Sequence, residues 1–495
     1  MHFIVKLFPE ITIKSAPVRK RFIKQLRDNL RELLAPLSAE LSKEEKIQVQ
    51  REWDKIEVTT SNNDPAIKRR VMEVLAHVPG IAHFALVKDH PLGDMHDTFE
   101  KTLAVYGPLL TDKTFSVRVK RAGEHDFTST EVERYVGGGL NQHSDAAGVK
   151  LKNPDITVKL EIKHDRLYVI EEQIQGLGGF PLGSQDPVLS LISGGFDSTV
   201  SSYMMIKRGI RNHYCFFNLG GRAHEIAVKE VAFYLWNKYG ASHKVKFVTV
   251  PFEDVVTEIL ESVQNSQMGV VLKRMMLRAA SQIAEDMKIQ ALVTGEAIGQ
   301  VSSQTLTNLS VIDEVTDTLV LRPLIVMDKT DIVDLSRAIG TEEFSANIPE
   351  YCGVISRKPT TRAKRDVINA QEDKFDFAVL DKAVASRKMV GIDEVMDDLE
   401  ETVPVEVLSV VDASAIIVDV RHPTEEELKP LYVEGCTVEK IPFYALNTSA
   451  PSFDQERQYL LYCEKGVMSQ LHAAHLADAG FSNVGVYRPE SPKRK

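Results

Sequence analysis

Cysteine is nearly absent from this chain. Cys215, Cys352, Cys436 and Cys463 are the only four in 495 residues. They are too few and too scattered for a disulfide scaffold, and no Cys-x-x-Cys pair offers a structural zinc or iron–sulfur site. Each cysteine is therefore judged singly. Long apolar runs are missing as well: none approaches the roughly 18 residues needed to span a bilayer. The start, Met1-His2-Phe3-Ile4-Val5-Lys6, lacks a signal-peptide pattern, so a cytoplasmic protein without a membrane partner is expected. Charge of one sign is missing from the first part. Residues 1–186 hold 27 Lys+Arg against 27 Asp+Glu, so the formal net charge of −10 arises entirely in the remainder.

What is present centres on Ser193-Gly194-Gly195-Phe196-Asp197-Ser198. The segment follows the apolar run Val188–Ile192 and opens a helical stretch, Thr199 to Lys207. A strand, a tight turn and a helix N-terminus make an anion site: adjacent glycines bring N–H groups close to an oxyanion, and the serines add donors. The spacing fits neither the Walker loop nor the dinucleotide fingerprint. It resembles the SGGxDS pyrophosphatase loop of the PP-loop ATPases. That resemblance implies ATP held by Leu191, Ile192, Ser193, Gly194, Gly195, Asp197 and Ser198, with adenylation of a carbonyl or carboxylate oxygen before a nucleophile displaces AMP.

The N-terminal part reads as strand (Phe3–Phe8), helix (Pro17–Leu34) and strand (Ile56–Thr60), similar to a ferredoxin-like unit. The stretch from Lys14 to Arg31 carries Lys14, Arg19, Lys20, Arg21, Lys24, Arg27 and Arg31 against Asp28 alone and reads as an amphipathic helix with a basic outer face. Such a face suits a polyanion or is simply solvated. A second unit runs from helix Pro65–His77 through strands Ile81–Lys88, Thr114–Lys120, Ile156–Ile162 and Arg166–Gln173. In Phe115 to Arg121, apolar Phe115, Val117 and Val119 alternate with Arg118 and Lys120, which places cations on one face. A half-exposed edge strand gives the same pattern. With Phe127, Glu131 and the run Gly137-Gly138-Gly139-Leu140, this segment resembles the core of a THUMP domain, which implies tRNA binding through Arg118, Lys120, Arg121, Lys20 and Lys24.

Gly178 to Pro187 reads as a linker or an ordered crossing loop. Strands and helices then alternate to Thr294, predicting a doubly wound parallel sheet with ligands at the strands' carboxyl ends. In Met268 to Arg278, Lys273, Arg274 and Arg278 are placed to neutralise phosphates, and in Thr294 to Gln304, Gly295 permits close approach of a base that Gln304 hydrogen-bonds. These segments resemble those of the tRNA 4-thiouridine synthetases.

Cys352, in the Pro-bounded segment Pro349 to Thr361, matches the position of that family's reactive cysteine. Cys215 reads as a buried strand residue, and Cys436 as structural. Gly391 to Glu406 holds acids without Lys or Arg and reads as a boundary. Beyond it, Asp419-Val420-Arg421-His422-Pro423 ends one strand. Tyr459–Tyr462 forms another, tipped by Cys463 and followed by Gly466, Ser469 and a helix. Both features resemble the rhodanese domain, where a loop at a helix N-terminus lowers a thiol pKa and stabilises a persulfide. Met468 stands where an arginine is common, which favours a protein persulfide over thiosulfate as donor.

The fold class expected is α/β multidomain: a ferredoxin-like domain (1–62), THUMP (63–174), a PP-loop adenylation domain (178–390), an acidic linker (391–406) and a rhodanese-like domain (407–495). This order resembles the long form of the tRNA 4-thiouridine synthetase family. The resemblance implies ATP with Mg²⁺, no resident metal site, and tRNA uridine 8 as acceptor. It implies a cysteine desulfurase as donor, Cys463 as persulfide, and Cys352 as the residue that forms a disulfide with Cys463 for an external reductant to reset. It also implies sulfur transfer to the thiazole sulfur-carrier protein of thiamine synthesis. Asp197 is assigned either to Mg²⁺ or to loop orientation. A different PP-loop RNA thiolase and a non-catalytic tRNA-binding sulfur relay are the alternatives.

Overall fold

Phe3, Val5 and Leu7 of the first strand are buried together, as period-2 alternation requires of a strand with helices on one side. The computed structural model describes residues 1–219, 221–346, 348, 358–395, 405–409, 411–412, 414–421, 426–427, 429–442, 446, 449–463, 469, 472–473, 476–477 and 480–489. They belong to two compact units, Met1–Pro181 and Leu182–Lys495. Among them no helix is long and apolar enough to cross a membrane.

The first unit contains one eight-stranded sheet: β1 (His2–Leu7), β2 (Gln48–Arg51), β3 (Lys55–Thr59), β4 (Ile81–Pro91), β5 (Thr114–Ala122), β6 (Gly148–Val149), β7 (Ile156–Lys163) and β8 (Arg166–Gly178), in the order β2-β3-β1-β4-β8-β7-β5-β6. The sequence reads as two α+β units, yet their strands share this sheet. β4 pairs with β1 on one edge (Phe3↔Leu86) and with β8 on the other (Val87↔Ile170). Helices Ala16–Ala39 and Pro65–His77 cover Phe3, Val5, Ile56 and Phe84. Helices Met95–Tyr106 and Ser129–His143, which the sequence reading missed, cover Phe115, Val117, Val158 and Val169. The run Gly137–Gly139 lies inside the latter helix, where a Cβ on Gly139 would stand 2.5 Å from Phe99. The face turned away from these helices carries a small apolar cluster: Ile4, Ala85, Val87, Tyr168 and Ile170. After β8 the chain is an ordered crossing, with Phe180 buried 5.4 Å from the Phe22 ring.

The second unit holds a sheet of β9 (Gln185–Leu191), β10 (Ile210–Asn218), β11 (Lys246–Pro251), β12 (Ala291–Val293), β13 (Leu319–Leu321) and β14 (Lys388–Gly391), in the order β13-β12-β9-β10-β11-β14. All neighbours are parallel except β11 and β14. Strand order reverses at β9, so the crevice of a doubly wound fold opens at its carboxyl end. A third, parallel sheet contains β15 (Val407–Leu408), β16 (Ile416–Asp419), β17 (Thr437–Lys440), β18 (Tyr459–Tyr462) and β19 (Val484–Tyr487), in the order β15-β19-β18-β16-β17.

The acidic stretch is tied down where it is described. Gly391 pairs with Lys246, Ile392 and Val395 are fully buried, and the Glu406 carbonyl accepts the Val486 N–H at 2.8 Å. One apolar core contains Phe216, Val228 and Val231 together with Val418, Leu461 and Leu476, so the second and third sheets share an interior.

In the first unit, His2 and the buried Lys55 outweigh burial and hold the Glu57 carboxyl down to about 2, against an ordinary 4.5. A depressed carboxylate stabilises fully above its unfolded value, and that contribution is lost as pH falls from 4.5 toward 2. Urea unfolding of the full chain across this window will show a shallower acid dependence in Glu57→Gln than in the wild type.

Candidate functional site

β9 ends at Leu191, and the chain turns through Ser193, Gly194 and Gly195 into helix Phe196–Lys207. Gly194 sits at φ +82°, which favours glycine, and a Cβ there would press on the Ile348 Cδ1 methyl at 2.4 Å. Ser198 Oγ accepts the Ser193 N–H at 3.1 Å and donates to the Gly195 carbonyl at 3.2 Å, closing the loop on itself. Gly195 is the N-cap and brings no side-chain cap, which leaves the first-turn N–H groups as anion donors.

Asp197 is where distant segments meet. Its carboxylate accepts Lys329 Nζ at 2.8 and 2.9 Å and Gln300 Nε2 at 2.7 Å. Lys329 opens helix Lys329–Ile339 and lies 5.5 Å over the Phe196 ring. It is half-exposed, so Asp197 holds a cation at the mouth of the loop. Sequence reasoning missed Lys329, which lies 132 positions beyond Asp197 with no local motif to mark it. Ser345 Oγ donates to the Gly194 carbonyl at 2.9 Å, which brings the segment leading toward Cys352 onto the same loop.

The close approach that Gly295 permits is to the loop itself rather than to a base. A Cβ at Gly295 would stand 2.5 Å from the Asp197 carbonyl carbon and 2.6 Å from the Ser198 nitrogen. Next to it the buried carboxylate of Glu296 receives Arg322 Nε at 2.9 Å and Thr294 Oγ1 at 3.0 Å, with Lys273 Nζ 3.7 Å away. Burial opposes its ionisation, but Lys273 and Arg322 prevail and hold its pKa below the ordinary value. Lys273 therefore sits in a built charge cluster.

Arg274 and Arg278 do not join it. Arg274 is buried against Glu372 at 2.6 and 2.8 Å, and Arg278 Nη2 reaches the same carboxylate at 3.1 Å, because successive helical residues point about 100° apart. Their sequence-based role as phosphate ligands is withdrawn. Gln304 is buried, and its Oε1 has no hydrogen-bond partner among the described residues. Asn218 Oδ1, at the end of β10, is likewise unpartnered; the sequence reading did not single it out. Two orphaned polar atoms, Asn218 Oδ1 at the end of β10 and Gln304 Oε1 in the turn Ser302–Gln304, fit a nucleotide that supplies their partners.

Cys463 follows β18 directly and is buried. Its Sγ accepts the Ser469 N–H at 3.3 Å and lies 3.5 Å from Ser469 Oγ, the donor arrangement that favours a sulfur anion. On the neighbouring strand Arg421 clasps Asp419 at 2.9 and 2.5 Å and stacks 5.2 Å over Tyr462, beside the cysteine. Cys352 lies outside the described residues. Cys215 is fully buried and its thiol pKa is pushed up by that burial, so it is inert packing. Cys436 Sγ lies 3.6 Å from the Asp412 carbonyl.

In the first unit, Arg118, Lys120 and Arg121 are exposed on β5. Arg118 and Lys120 line a cavity of about 230 Å³ with Lys6, His83 and Lys159, floored by the Ile4 cluster. Burial first, then Lys120 and Lys6, lower the His83 pKa, against an opposing pull from Glu161, which also lines the cavity. Lys20 and Lys24 are exposed on helix Ala16–Ala39, on the other side of the sheet, so the predicted RNA contacts occupy two faces.

Replacing Gly295 by alanine will push a methyl into the loop backbone, a strain of about 1–3 kcal/mol. Calorimetry will show weaker ATP binding and a lower Tm. Lys329→Met will lower ATP-dependent turnover by about 100-fold, the scale of losing one charge stabiliser, with Tm little changed; equal turnover would remove Lys329 from the site.

The sequence matches the family described as thiamine biosynthesis protein (ThiI) over residues 183–377, the ThiI ferredoxin-like domain over 2–85 and the THUMP domain over 93–170. A tRNA sulfurtransferase of Saccharophagus degradans is 59% identical over 99% of this chain and 100% of its own length. One from Shewanella halifaxensis is 56% identical with the same coverage, 99% and 100%. A solved 4-thiouridine synthetase–RNA complex with bound ATP has a TM-score of 0.68 at 25% identity, covering 79% of this chain and 99% of that one. With the phosphate loop intact and identity at this level along its whole length, the chain belongs to the ThiI family of tRNA sulfurtransferases.

Proposed function

We propose that this enzyme transfers sulfur from a cysteine desulfurase to C4 of uridine 8 in tRNA, giving 4-thiouridine at the expense of ATP. The observation that carries this reading is the presence, in one compact unit, of a phosphate loop whose Asp197 holds Lys329 and a cysteine thiol that receives a backbone N–H. Uridine O4 attacks the α-phosphorus of ATP and pyrophosphate leaves, while the uracil N3 proton passes to solvent. The loop from Ser193 to Ser198, Lys329 and Lys273 stabilise the phosphate charge, and Gln304 Oε1 accepts from the adenine amino group. Leu191, Ile192 and Gly295 shape the floor of this site.

The outer sulfur of the Cys463 persulfide, once deprotonated, attacks C4; AMP departs with O4, leaving C4–S–S–Cys463. The Cys352 thiolate attacks the Cys463 sulfur, and the electron pair of the breaking S–S bond goes to the sulfur on C4. The products are 4-thiouridine, reprotonated at N3, and a Cys352–Cys463 disulfide. An external dithiol returns two electrons and the desulfurase reloads Cys463. Residues 407–495 act here as a rhodanese-like carrier, and the same persulfide serves the thiazole sulfur-carrier protein.

Among the described residues no group of three His, Cys, Asp or Glu side chains is arranged to hold a metal ion, and the Asp197 oxygens already take Lys329 and Gln300. Mg²⁺ is therefore assigned to the incoming ATP, whose phosphate charge it would neutralise. Arg118, Lys120 and Arg121, with Lys20 and Lys24, contact tRNA phosphates, which position the RNA while its shape selects it.

The test is thiolation of unmodified tRNA with ATP, Mg²⁺, cysteine and a desulfurase, read as intact nucleosides by mass spectrometry. The wild type will form 4-thiouridine, and Cys463→Ala will lose at least about 1,000-fold, as expected when a nucleophile is removed. AMP production without any thiolated nucleoside in the wild type would refute the sulfur-transfer reading. Undiminished product in Cys463→Ala would refute the carrier.

A further inference from the structure

Helix Gly221–Leu235 connects the two chemical centres of the second unit. Near its start, His224 Nε2 lies 3.3 Å from the Ser193 carbonyl. Further along, Val228 borders Gly194, where an added Cβ would stand 3.1 Å from Val228 Cγ2. Glu230 follows, buried, and its Oε1 meets His472 Nε2 at 2.8 Å, with the two side chains only 10% and 6% exposed. His472 lies three residues beyond Ser469, whose N–H holds the Cys463 sulfur. Ala473 and Leu476 enter the apolar core that contains Val228, Val231 and Phe233.

The sequence of contacts is therefore Ser193–His224, Gly194–Val228, Glu230–His472 and Ser469–Cys463. Six residues of helix separate His224 from Glu230, about 9 Å along the axis at 1.5 Å per residue. A buried carboxylate set against an imidazole is a poor source of stability compared with apolar packing of the same volume, but either polar group left there without the other is strongly disfavoured. Such a pair accepts one register and rejects others. Apolar contacts around it would tolerate sliding.

We propose that Glu230 and His472 are positioning residues that seat the sulfur-carrying segment in register on the helix bordering the phosphate loop, so that Cys463 is presented to the adenylated uridine. The proposal rests on the sulfur-transfer reading above. Among the described contacts of Glu230 and His472 the one that crosses between segments is their own, not one to the phosphate loop, so the effect of the pair is placed on the second half-reaction.

The experiment uses the full chain as wild type, Glu230→Gln, His472→Gln and the swap Glu230→His with His472→Glu. Three quantities are read: tRNA-dependent pyrophosphate release, persulfide loading of Cys463 by desulfurase and cysteine, and single-turnover 4-thiouridine formation from the preloaded chain. In the single variants the first two will stay within about twofold of wild type, while transfer falls by about tenfold or more, the signature of an interaction used in one step only. The swap will recover part of the transfer rate. Intact pyrophosphate release reports that the unit is folded.

Unchanged transfer in both single variants would overturn the seat. So would a parallel fall in pyrophosphate release, which would make the pair a support for the loop. A wild type without Cys463-dependent 4-thiouridine would refute the function itself and this proposal with it. A fully active wild type matched by fully active variants would remove the seat alone.

Discussion

The carboxylate of Asp197 ties remote parts of the chain to one helix N-terminus. Lys329 and Gln300 both end on it, and Gly295 lies under the backbone it belongs to. Gly194, three residues earlier, takes Ser345 and Ile348 on its other side. This convergence follows from topology, since parallel strands with alternating crossovers deliver every loop to the same edge. Without the Asp197 contacts the loop would still turn, but Lys329 would not be held at its mouth and Gln300 would lose its tie to the helix N-terminus. The rest of the proposed chemistry depends on that assembly.

Among the described residues of the second unit, the charge pairs Arg274 with Glu372, Arg322 with Glu296 and Asp313, and Arg421 with Asp419, like the contact of His472 with Glu230, each occur at the junction of separate segments or beside a reactive group. Pairs of this kind add little net stability but tolerate few alternative arrangements. They set the register of the strand ends, leaving the apolar interior to supply the bulk of the driving force.

Much of this was legible in the residues. The phosphate loop lies within six consecutive positions, and the Cys463 turn within seven, so a local pattern suffices to find both. Alternation marked β5 and placed Arg118 and Lys120 away from Phe115 and Val117, as found. What was missed arises from partners far apart in the chain. Lys329 looks like any surface lysine until Asp197 is beside it, and Arg274 and Arg278 looked like phosphate ligands until Glu372 occupied them. Gly137 to Gly139 stood out only as a glycine run, and their place in a helix was not read, because such a run carries no periodicity to reveal it; Gly139 serves a close contact with Phe99. The single sheet shared by both α+β halves depends on the pairing of β1 with β4, which no local signal encodes.

The central claim is that ATP activates uridine O4 before sulfur arrives. The most direct measurement supplies tRNA with oxygen-18 at O4 of the target uridine and follows the isotope by mass spectrometry after turnover with ATP, cysteine and desulfurase. Oxygen-18 in the phosphate of AMP, one atom for each 4-thiouridine formed, is the predicted result. Oxygen-18 released to water while AMP stays unlabelled would contradict adenylation at O4 and with it the role assigned to the loop around Asp197.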